Sequence, residues 1–456
     1  MATAGLLGDG RTERLPDELA DAEFVSLLYR PDGDALAATG ILARTLAAID
    51  TPFQATVSRP DRPGSDRERA TDADLVIRVG FVDPADDTDG TDDTAATPEG
   101  SDGEILSLPG EPPPASLLAR EVARELDYDP DPVLALAGSV ATAVRDARDP
   151  WVGPFAEANE ALLERGREHD GLGDRRPGVA VPTAEVIDGL AHSTLVHAPF
   201  SGDIERTRER CGPLVDDRDS TEIASLLALA TVGAERTPPR GAIAIERALR
   251  PIALQDPTPV VTLEGYADVL SCVAVERPGV GLALLLGYDV REAALAAWRT
   301  HAQRAHAALQ AATIARYDGL SVARLGAIAG TESTDGGGEK DGGEGTDNGN
   351  GRTVPVTTVA RLLRDYRSPE PIALVVGDGL GALSATEDRT LGSVLAEATR
   401  DLDGMGGGTE RAGAARFDAD PEAFITAVRE ALADENRADG GDRTGTAADA
   451  TVGDRS

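Results

Sequence analysis

Cysteine is almost absent from this chain of 456 residues, which carries only Cys211 and Cys272. Two cysteines build neither a disulfide framework nor a cysteine-type zinc site. The longest apolar run, residues 280–286, is too short to cross a bilayer, and the N-terminus lacks the basic and apolar pattern of a signal peptide. We therefore expect a cytoplasmic protein without membrane association.

Lysine is also nearly missing, since the 44 basic residues are 43 arginines and the single Lys340, against 80 acidic residues. With a net charge of −36, the acidic side chains repel one another in dilute buffer. Molar salt screens this repulsion, because it shortens the Debye length to about 3 Å. With its 3% aromatic content, the composition resembles proteins of extreme halophiles, whose cytoplasm holds molar KCl. This acidity does not exclude a nucleic-acid partner, but binding must come from local arginine clusters, stacking and backbone contacts.

Histidine, a common metal ligand and catalytic base, occurs only five times. We expect His169, His301 and His306, which lie in charged or alanine-rich helical stretches, to be solvated. His192 and His197 stand five residues apart; a metal pair is one interpretation, and a core or interface position is the favoured one. No Ser-His-Asp order, nucleophile elbow or Walker-type phosphate loop is found.

Two carboxylates follow a predicted strand near the start of the chain. The apolar residues 24–29 predict the strand, Asp32-Gly33-Asp34 a tight turn, and residues 35–49 a helix. Open α/β sheets place their chemistry at this end of a strand, and clustered carboxylate oxygens bind Mg²⁺ or Mn²⁺. The alternative is structural, because an Asp-Gly-Asp turn also caps a helix.

A glycine triplet, Gly406-Gly407-Gly408, forms the second notable segment. It follows an apolar predicted strand over 372–379, Ser384, and a predicted helix over 391–402. Consecutive glycines let a sugar-phosphate chain approach the backbone and offer N–H groups to anions. A flexible turn is the alternative for a glycine run taken alone.

Taken together, these segments resemble the DHH phosphoesterase superfamily, in particular archaeal RecJ-like nucleases and the related factor that joins GINS and the MCM ring at replication forks. Pro31, Asp32, Asp34 and Ala35 match the family's first motif, and Ser384 with the glycine triplet matches its C-terminal motifs. The resemblance implies an α/β fold with a DHH-type parallel-sheet domain and a smaller C-terminal α/β DHH-associated domain. That second domain holds nucleic acid in the family.

The chain departs from the family at most of the ligand positions. Residues other than the family's His, Asp or Arg stand at Leu28, Gly80, residues 109–114, Thr142, Thr386 and Thr409. Paired ions about 3.5–4 Å apart need several carboxylates and imidazoles around them. We therefore expect Asp32 and Asp34 to be a vestigial or weak metal site, with no assigned catalytic residue and less than one tightly bound divalent ion.

Three functions follow from the resemblance. The first is a catalytically degenerate protein that binds single-stranded DNA or RNA, together with GINS or other replisome proteins. The second is an active Mn²⁺- or Mg²⁺-dependent single-strand exonuclease with rearranged ligands, namely Asp32, Asp34, Asp83 and Asp146. The third is a phosphoesterase acting on cyclic dinucleotides or very short oligonucleotides.

Nucleic-acid binding is assigned to the C-terminal segment. The residues expected to hold the sugar-phosphate backbone are Ser384, Gly406, Gly407, Gly408 and Arg411, with Arg389 as a further source of positive charge. An ordinary surface position is the alternative for each arginine. We expect Asp32 and Gly407 to line one cleft between the two domains.

Composition and periodicity divide the chain into six parts. The predicted parts are an N-terminal extension (1–19), the DHH-like domain (20–215, with a disordered insertion at 84–103), a helical and mixed connecting region (216–330), a flexible linker (331–352), the DHH-associated domain (353–434) and a disordered acidic tail (435–456).

Overall fold

The computed structural model describes residues 12–58, 73–81, 104–110, 112–169, 171–216, 220–234, 237–255, 260–326 and 354–442. Asp83, the predicted insertion at 84–103 and the predicted linker at 331–352 lie outside these residues. Within the described part, no helix is long and apolar enough to span a membrane.

A four-stranded parallel sheet, in the order β2-β1-β3-β4, is the centre of the N-terminal domain. Every residue of β1 is buried, as expected for a central strand covered on both faces. The strands are β1 (Val25–Tyr29), β2 (Phe53–Val57), β3 (Leu75–Val79) and β4 (Glu104–Leu108), and the helices packed with them are α1 (Leu15–Asp21), α2 (Gly33–Ala48), α3 (Ala115–Glu125) and α4 (Pro132–Arg145).

The core of this domain extends beyond the predicted boundaries at both ends. Leu15 and Leu19 of α1 are buried in it, so residues 12–19 are part of the domain and not an extension. Leu270 and Trp298, from the predicted connecting region, belong to the same buried cluster as Leu27 of β1. The division at residue 215 is therefore corrected, because helices after it cover the faces of α2 and α4.

The middle of the chain is mostly helical. It contains α5 (Ala156–Glu168), β5 (Leu172–Arg175), α6 (Val186–His192), α7 (Ile204–Asp216), α8 (Ser220–Val232), α9 (Arg240–Glu246), β6 (Ile252–Leu254), α10 (Leu263–Glu276), α11 (Pro278–Leu285) and α12 (Arg291–Ala311). Cys211 and Cys272 are free, buried thiols. The helices that follow β6 pack on the N-terminal core and lead directly into the second domain.

The C-terminal domain is a six-stranded sheet in the order β11-β12-β10-β9-β8-β7, with helices packed on it. Its elements are β7 (Thr313–Tyr317), β8 (Leu320–Arg324), α13 (Val356–Tyr366), β9 (Ile372–Gly377), β10 (Leu380–Ala385), α14 (Leu391–Thr399), β11 (Met405–Gly408), β12 (Ala412–Arg416) and α15 (Pro421–Asp442). The fold class expected from the sequence is thereby confirmed.

Both predicted boundaries of this domain need correction. It begins at β7, not at residue 353, because β8 pairs in parallel with β9 and completes the sheet. It also continues past residue 434, since α15 runs into the predicted tail. There Glu435 accepts hydrogen bonds from the backbone N–H of Thr390, at 2.7 Å, and from its hydroxyl, at 2.9 Å.

Candidate functional site

The turn after β1 lies at the point where the strand order reverses, with β2 on one side of β1 and β3 on the other. This is the position at which open parallel sheets bind ligands. Asp32 has extended backbone and caps α2, because its Oδ1 accepts hydrogen bonds from the N–H groups of Asp34, at 3.1 Å, and Ala35, at 3.0 Å. Oδ1 of Asp32, the first carboxylate of the motif, therefore caps the N-terminus of α2.

Asp34 points away from solvent and is only 1% exposed. Its Oδ2 accepts from the N–H of Ala115 at 2.8 Å, and its Oδ1 accepts from the N–H of Ser116 at 3.0 Å. These are the first residues of α3, whose own N-cap, Pro114, provides no side-chain bond. Asp34 is thus a helix cap from a distant part of the chain.

Two guanidinium groups contact the remaining oxygen of Asp32. Arg30 donates from Nε to Oδ2, and Nη1 of Arg145 lies 3.8 Å from the same atom. Burial acts to raise the pKa of Asp32, but the charges of Arg30 and Arg145 outweigh it and hold this pKa below its ordinary value. Burial and the charge of Asp32 raise the pKa of Asp34, against the hydrogen bonds from Ser116.

Arg145 connects this turn to the C-terminal end of α4. It forms a two-point ion pair with the buried Asp146, from Nε to Oδ1 at 2.8 Å and from Nη2 to Oδ2 at 3.0 Å. Nη2 also donates to the carbonyl of Gly110 at 3.1 Å. Burial acts to lower the pKa of Arg145, but the charges of Asp146 and Asp32 outweigh it and raise this pKa, so the guanidinium is a permanent cation.

The carboxylates of Asp32, Asp34 and Asp146 do not fit a two-metal centre. Among the described residues, no three His, Cys, Asp or Glu side chains are grouped as metal ligands. Asp32 and Asp146 are paired with arginines, Asp34 accepts two N–H groups, and Leu28, at the family's histidine position, is buried and apolar. Asp83, a ligand in the rearranged-exonuclease hypothesis, lies outside the described residues.

The glycine triplet forms most of β11, at the edge of the C-terminal sheet. A Cβ on Gly406 would lie 2.6 Å from the carbonyl oxygen of Leu395, and one on Gly408 would lie 2.3 Å from that of Ala412. A Cβ on Gly407 would meet nothing within 4 Å. Two of the three glycines therefore allow close packing inside the domain, and Gly407 alone faces open space.

Two other predicted nucleic-acid residues point inward. Ser384 is 2% exposed, and its hydroxyl accepts a hydrogen bond from Nη1 of Arg364 at 2.9 Å. Arg411 donates from Nε to Asp388 at 2.6 Å and from Nη1 to the carbonyl of Asp146 at 2.7 Å. Ser384 is thus placed where it cannot touch a ligand at the surface, which corrects its predicted role, and Arg411 joins the two domains.

The two motif regions meet at the end of α4, which we call the domain junction (residues 144–148). Arg364, from α13, is fully buried beside Asp365 and donates to the carbonyls of Val144, at 3.3 Å, and Arg145, at 2.6 Å. The C-terminal domain therefore caps α4, which ends beside Asp32. That Gly407 lines a cleft with Asp32 stays a prediction.

Sequence reasoning missed Arg30, Arg145, Arg148 and Arg364, which organise this region. The available signal was the position of Arg30 directly before Pro31-Asp32, and the Arg-Asp neighbours at 145–146 and 364–365. In a chain with 43 arginines, such neighbours carry little information on their own.

The expected solvation of two histidines is also wrong. His301 and His306 are fully buried. Nδ1 of His306 lies 3.0 Å from Nδ1 of His197, and Nε2 lies 3.1 Å from the carbonyl of Ser193. His192 is buried too, which agrees with the favoured core position.

Comparison with known proteins identifies a matching family and a relative of similar length. The family described as "Uncharacterized protein rrnAC1427, C-terminal domain" matches residues 312–430, the domain that begins at β7. The protein of that name from Haloarcula marismortui is 42% identical over 424 residues, covering 92% of this chain and 96% of its own. Its haloarchaeal source agrees with the acidic, lysine-poor composition.

Among solved structures, CDC45 from Entamoeba histolytica has a TM-score of 0.52 at 11% identity, covering 94% of this chain and 98% of its own. RecJ from Thermus thermophilus, solved with Mn²⁺, has a TM-score of 0.46 at 15% identity. The match covers 95% of this chain and 55% of the length of that RecJ. The predicted resemblance is confirmed at the level of the fold.

Proposed function

Because this chain belongs to the rrnAC1427 family and shares its fold with CDC45 from Entamoeba histolytica, we propose that it binds single-stranded nucleic acid without cleaving it. The observation that carries this proposal is the use of the motif carboxylates. Asp34 caps α3 with both oxygens, and Asp32 caps α2 and pairs with two arginines. A hydrated divalent ion needs about six oxygen ligands. The oxygens of Asp32 and Asp34 already accept hydrogen bonds from backbone N–H groups and from Arg30.

The binding half of the proposal is supported by the C-terminal domain. Gly407 leaves open space beside an edge strand, so a sugar-phosphate chain has room to approach the backbone there. No reaction step is assigned to this surface. The surface beside Gly407 holds the nucleic acid through N–H contacts, and no covalent bond is formed or broken.

The test is an assay in molar KCl with Mn²⁺ on labelled single-stranded DNA, single-stranded RNA and dinucleotides. We expect the full chain to retain the single strands in a binding assay and to leave all substrates intact, with or without EDTA. Gly407→Val should weaken retention, and Gly407→Ala should weaken it less, because the loss scales with the bulk added beside the backbone. Cleavage that EDTA stops and that Asp32→Ala abolishes would overturn the proposal.

A second function, association with a GINS-type partner, is favoured by one surface. Three large apolar side chains on the neighbouring helices α8 and α9 are exposed: Leu229 at 73%, Val232 at 48% and Ile243 at 62%. Exposed large apolar side chains on neighbouring helices are typical of a protein-binding surface. The sequence of α8 contains one charged residue, Glu222, in its first turn.

This association can be tested with purified GINS from the same organism, in molar KCl. Leu229→Asp and Ile243→Asp should each abolish co-elution with GINS while the thermal midpoint stays unchanged. Tyr288→Asp is the matched control, because Tyr288 is 65% exposed but lies outside α8 and α9. Equal co-elution of all variants would exclude this surface.

A further inference from the structure

Three buried arginine N–H groups lie at Asp32 or in the domain junction without a hydrogen-bond acceptor among the residues that the structure describes. Nη2 of Arg30, Nη1 of Arg145 and Nε of Arg148 are buried, and none of them has a hydrogen-bond acceptor in the described part of the protein. Each oxygen of Asp32 and Asp34, by contrast, already accepts at least one hydrogen bond. Buried donors without acceptors are strongly disfavoured, so these three N–H groups point to an acceptor from outside the chain.

Two of these donors lie side by side. Arg30 and Arg145 contact the same oxygen of Asp32, which places their guanidinium groups next to each other at the end of β1. Their side chains are 13% and 16% exposed, so they lie at the edge of the interior and not in its centre. Because the free N–H groups themselves are buried, side chains at the domain junction must shift before a ligand contacts them.

We propose that Arg30 and Arg145 form a seat for one backbone phosphate of a single-stranded nucleic acid, held without a metal ion. This inference rests on the proposed function and deepens it, because it names the group that the N-terminal domain recognises. The two guanidinium cations stand at the carboxyl end of β1, beside the carboxylates of the first motif.

The chemistry of phosphate fits these donors. A phosphodiester has two non-bridging oxygens that only accept hydrogen bonds, and a guanidinium presents its N–H groups in a planar fork that matches them. The free N–H groups of Arg30 and Arg145 would each donate to one oxygen. A cation at this position would instead be repelled by the guanidinium groups of Arg30 and Arg145, which both contact Asp32.

The partial burial of the seat has a consequence in molar salt. Contacts between exposed arginines and phosphates are screened over about 3 Å at this ionic strength, whereas buried pairs are screened much less. Arg148 adds a free Nε and pairs through Nη2 with Asp388 of the C-terminal domain. The donors therefore continue from the seat toward the second domain.

The experiment measures binding of a fluorescent single-stranded oligonucleotide to the full chain in molar KCl with EDTA. Arg30→Gln should weaken binding about tenfold, equivalent to about 1.4 kcal/mol. It should also reduce the slope of log affinity against log salt by about 1. Arg30→Lys, which keeps the charge without the fork, should recover only part of the loss. Arg400→Gln is the control, because Arg400 is 67% exposed and pairs with Glu397, three residues before it.

A second measurement keeps the test independent of folding. Oligonucleotides with one neutral methylphosphonate linkage should lose affinity for the wild-type chain at one position, and Arg30→Gln should be insensitive to that position. If the wild type binds but Arg30→Gln behaves like Arg400→Gln, the seat is refuted and the proposed function stands. If the wild type binds no oligonucleotide, the proposed function itself is overturned.

Discussion

At the scale of single residues, the chemistry of the first motif depends on what each carboxylate oxygen accepts. Asp34 is isolated from solvent and receives two N–H groups of a helix that begins 81 residues later. Asp32 receives two N–H groups and a guanidinium. The same two residues that match a metal-binding signature therefore stabilise two helix N-termini.

Asp34→Asn tests this structural role. The amide supplies one acceptor and turns an NH₂ group toward the N–H of Ala115 or Ser116, so we expect a loss of about 1–3 kcal/mol in the free energy of unfolding. Denaturant unfolding in molar KCl measures it. Asp17→Asn, at an exposed position in the first turn of α1, should change stability far less. Equal effects of both substitutions would contradict the cap.

The buried histidine pair predicts a dependence of stability on pH. Burial, together with the charge of Arg361 and against a hydrogen bond to Ser193, lowers the pKa of His306 to about 4. Because the unfolded chain then binds a proton at a higher pH than the folded chain, stability is complete above about pH 6.5 and falls as the pH drops toward 4. The expected loss is about 1.4 kcal/mol for each pH unit in this range.

His306→Asn should remove this contribution, so the difference in unfolding free energy between wild type and variant should shrink as the pH falls from about 7.5 to about 5. His197, whose pKa burial also lowers, adds a loss of the same sign. Glu264, whose pKa burial raises to about 7, acts in the opposite direction and cancels in the comparison. A constant difference across this range would contradict the assignment.

At the scale of elements, the three consecutive glycines of β11 have different surroundings, since Gly406 and Gly408 pack against backbone and Gly407 faces open space. Gly408→Ala forces a Cβ against the backbone of Ala412 and Gly413, and we expect a loss of about 1–3 kcal/mol in stability. Gly407→Ala adds a methyl group in open space and should leave the thermal midpoint unchanged. Thermal unfolding of the two variants in molar KCl decides between this division of roles and a uniformly flexible turn.

The sequence predicts individual elements much better than it predicts their grouping. The strand, turn and helix around Asp32 follow from local periodicity and capping residues, and the structure has them at nearly the predicted positions. The assignment of β7 and β8 to the C-terminal sheet depends on pairing with β9, which lies beyond the predicted linker, and no local pattern encodes that pairing. The contacts of Arg145 and Arg364 could not be predicted for the same reason, since their partners come from distant segments.

At the scale of the whole molecule, the two domains are joined by buried arginines that cap α4. Replacing Arg364 removes the ion-pair partner of the buried Asp365 and the side-chain donor to the carbonyls of Val144 and Arg145. We expect Arg364→Met to cost about 3–5 kcal/mol and to split calorimetric unfolding into two transitions, one for each domain. Arg429→Met, on the outer helix α15 over Tyr317, should retain a single transition. A single transition in both variants would show that the domains are coupled elsewhere.

The position of Asp34 also bears on how such genes change over evolutionary time. A carboxylate that holds the N-terminus of α3 is retained by selection for folding, even where no selection for hydrolysis acts. The presence of the acidic signature in a sequence is therefore no measure of nuclease activity. Arg30 is the more informative residue, because its guanidinium pairs with Asp32 and competes with every divalent ion that approaches that carboxylate.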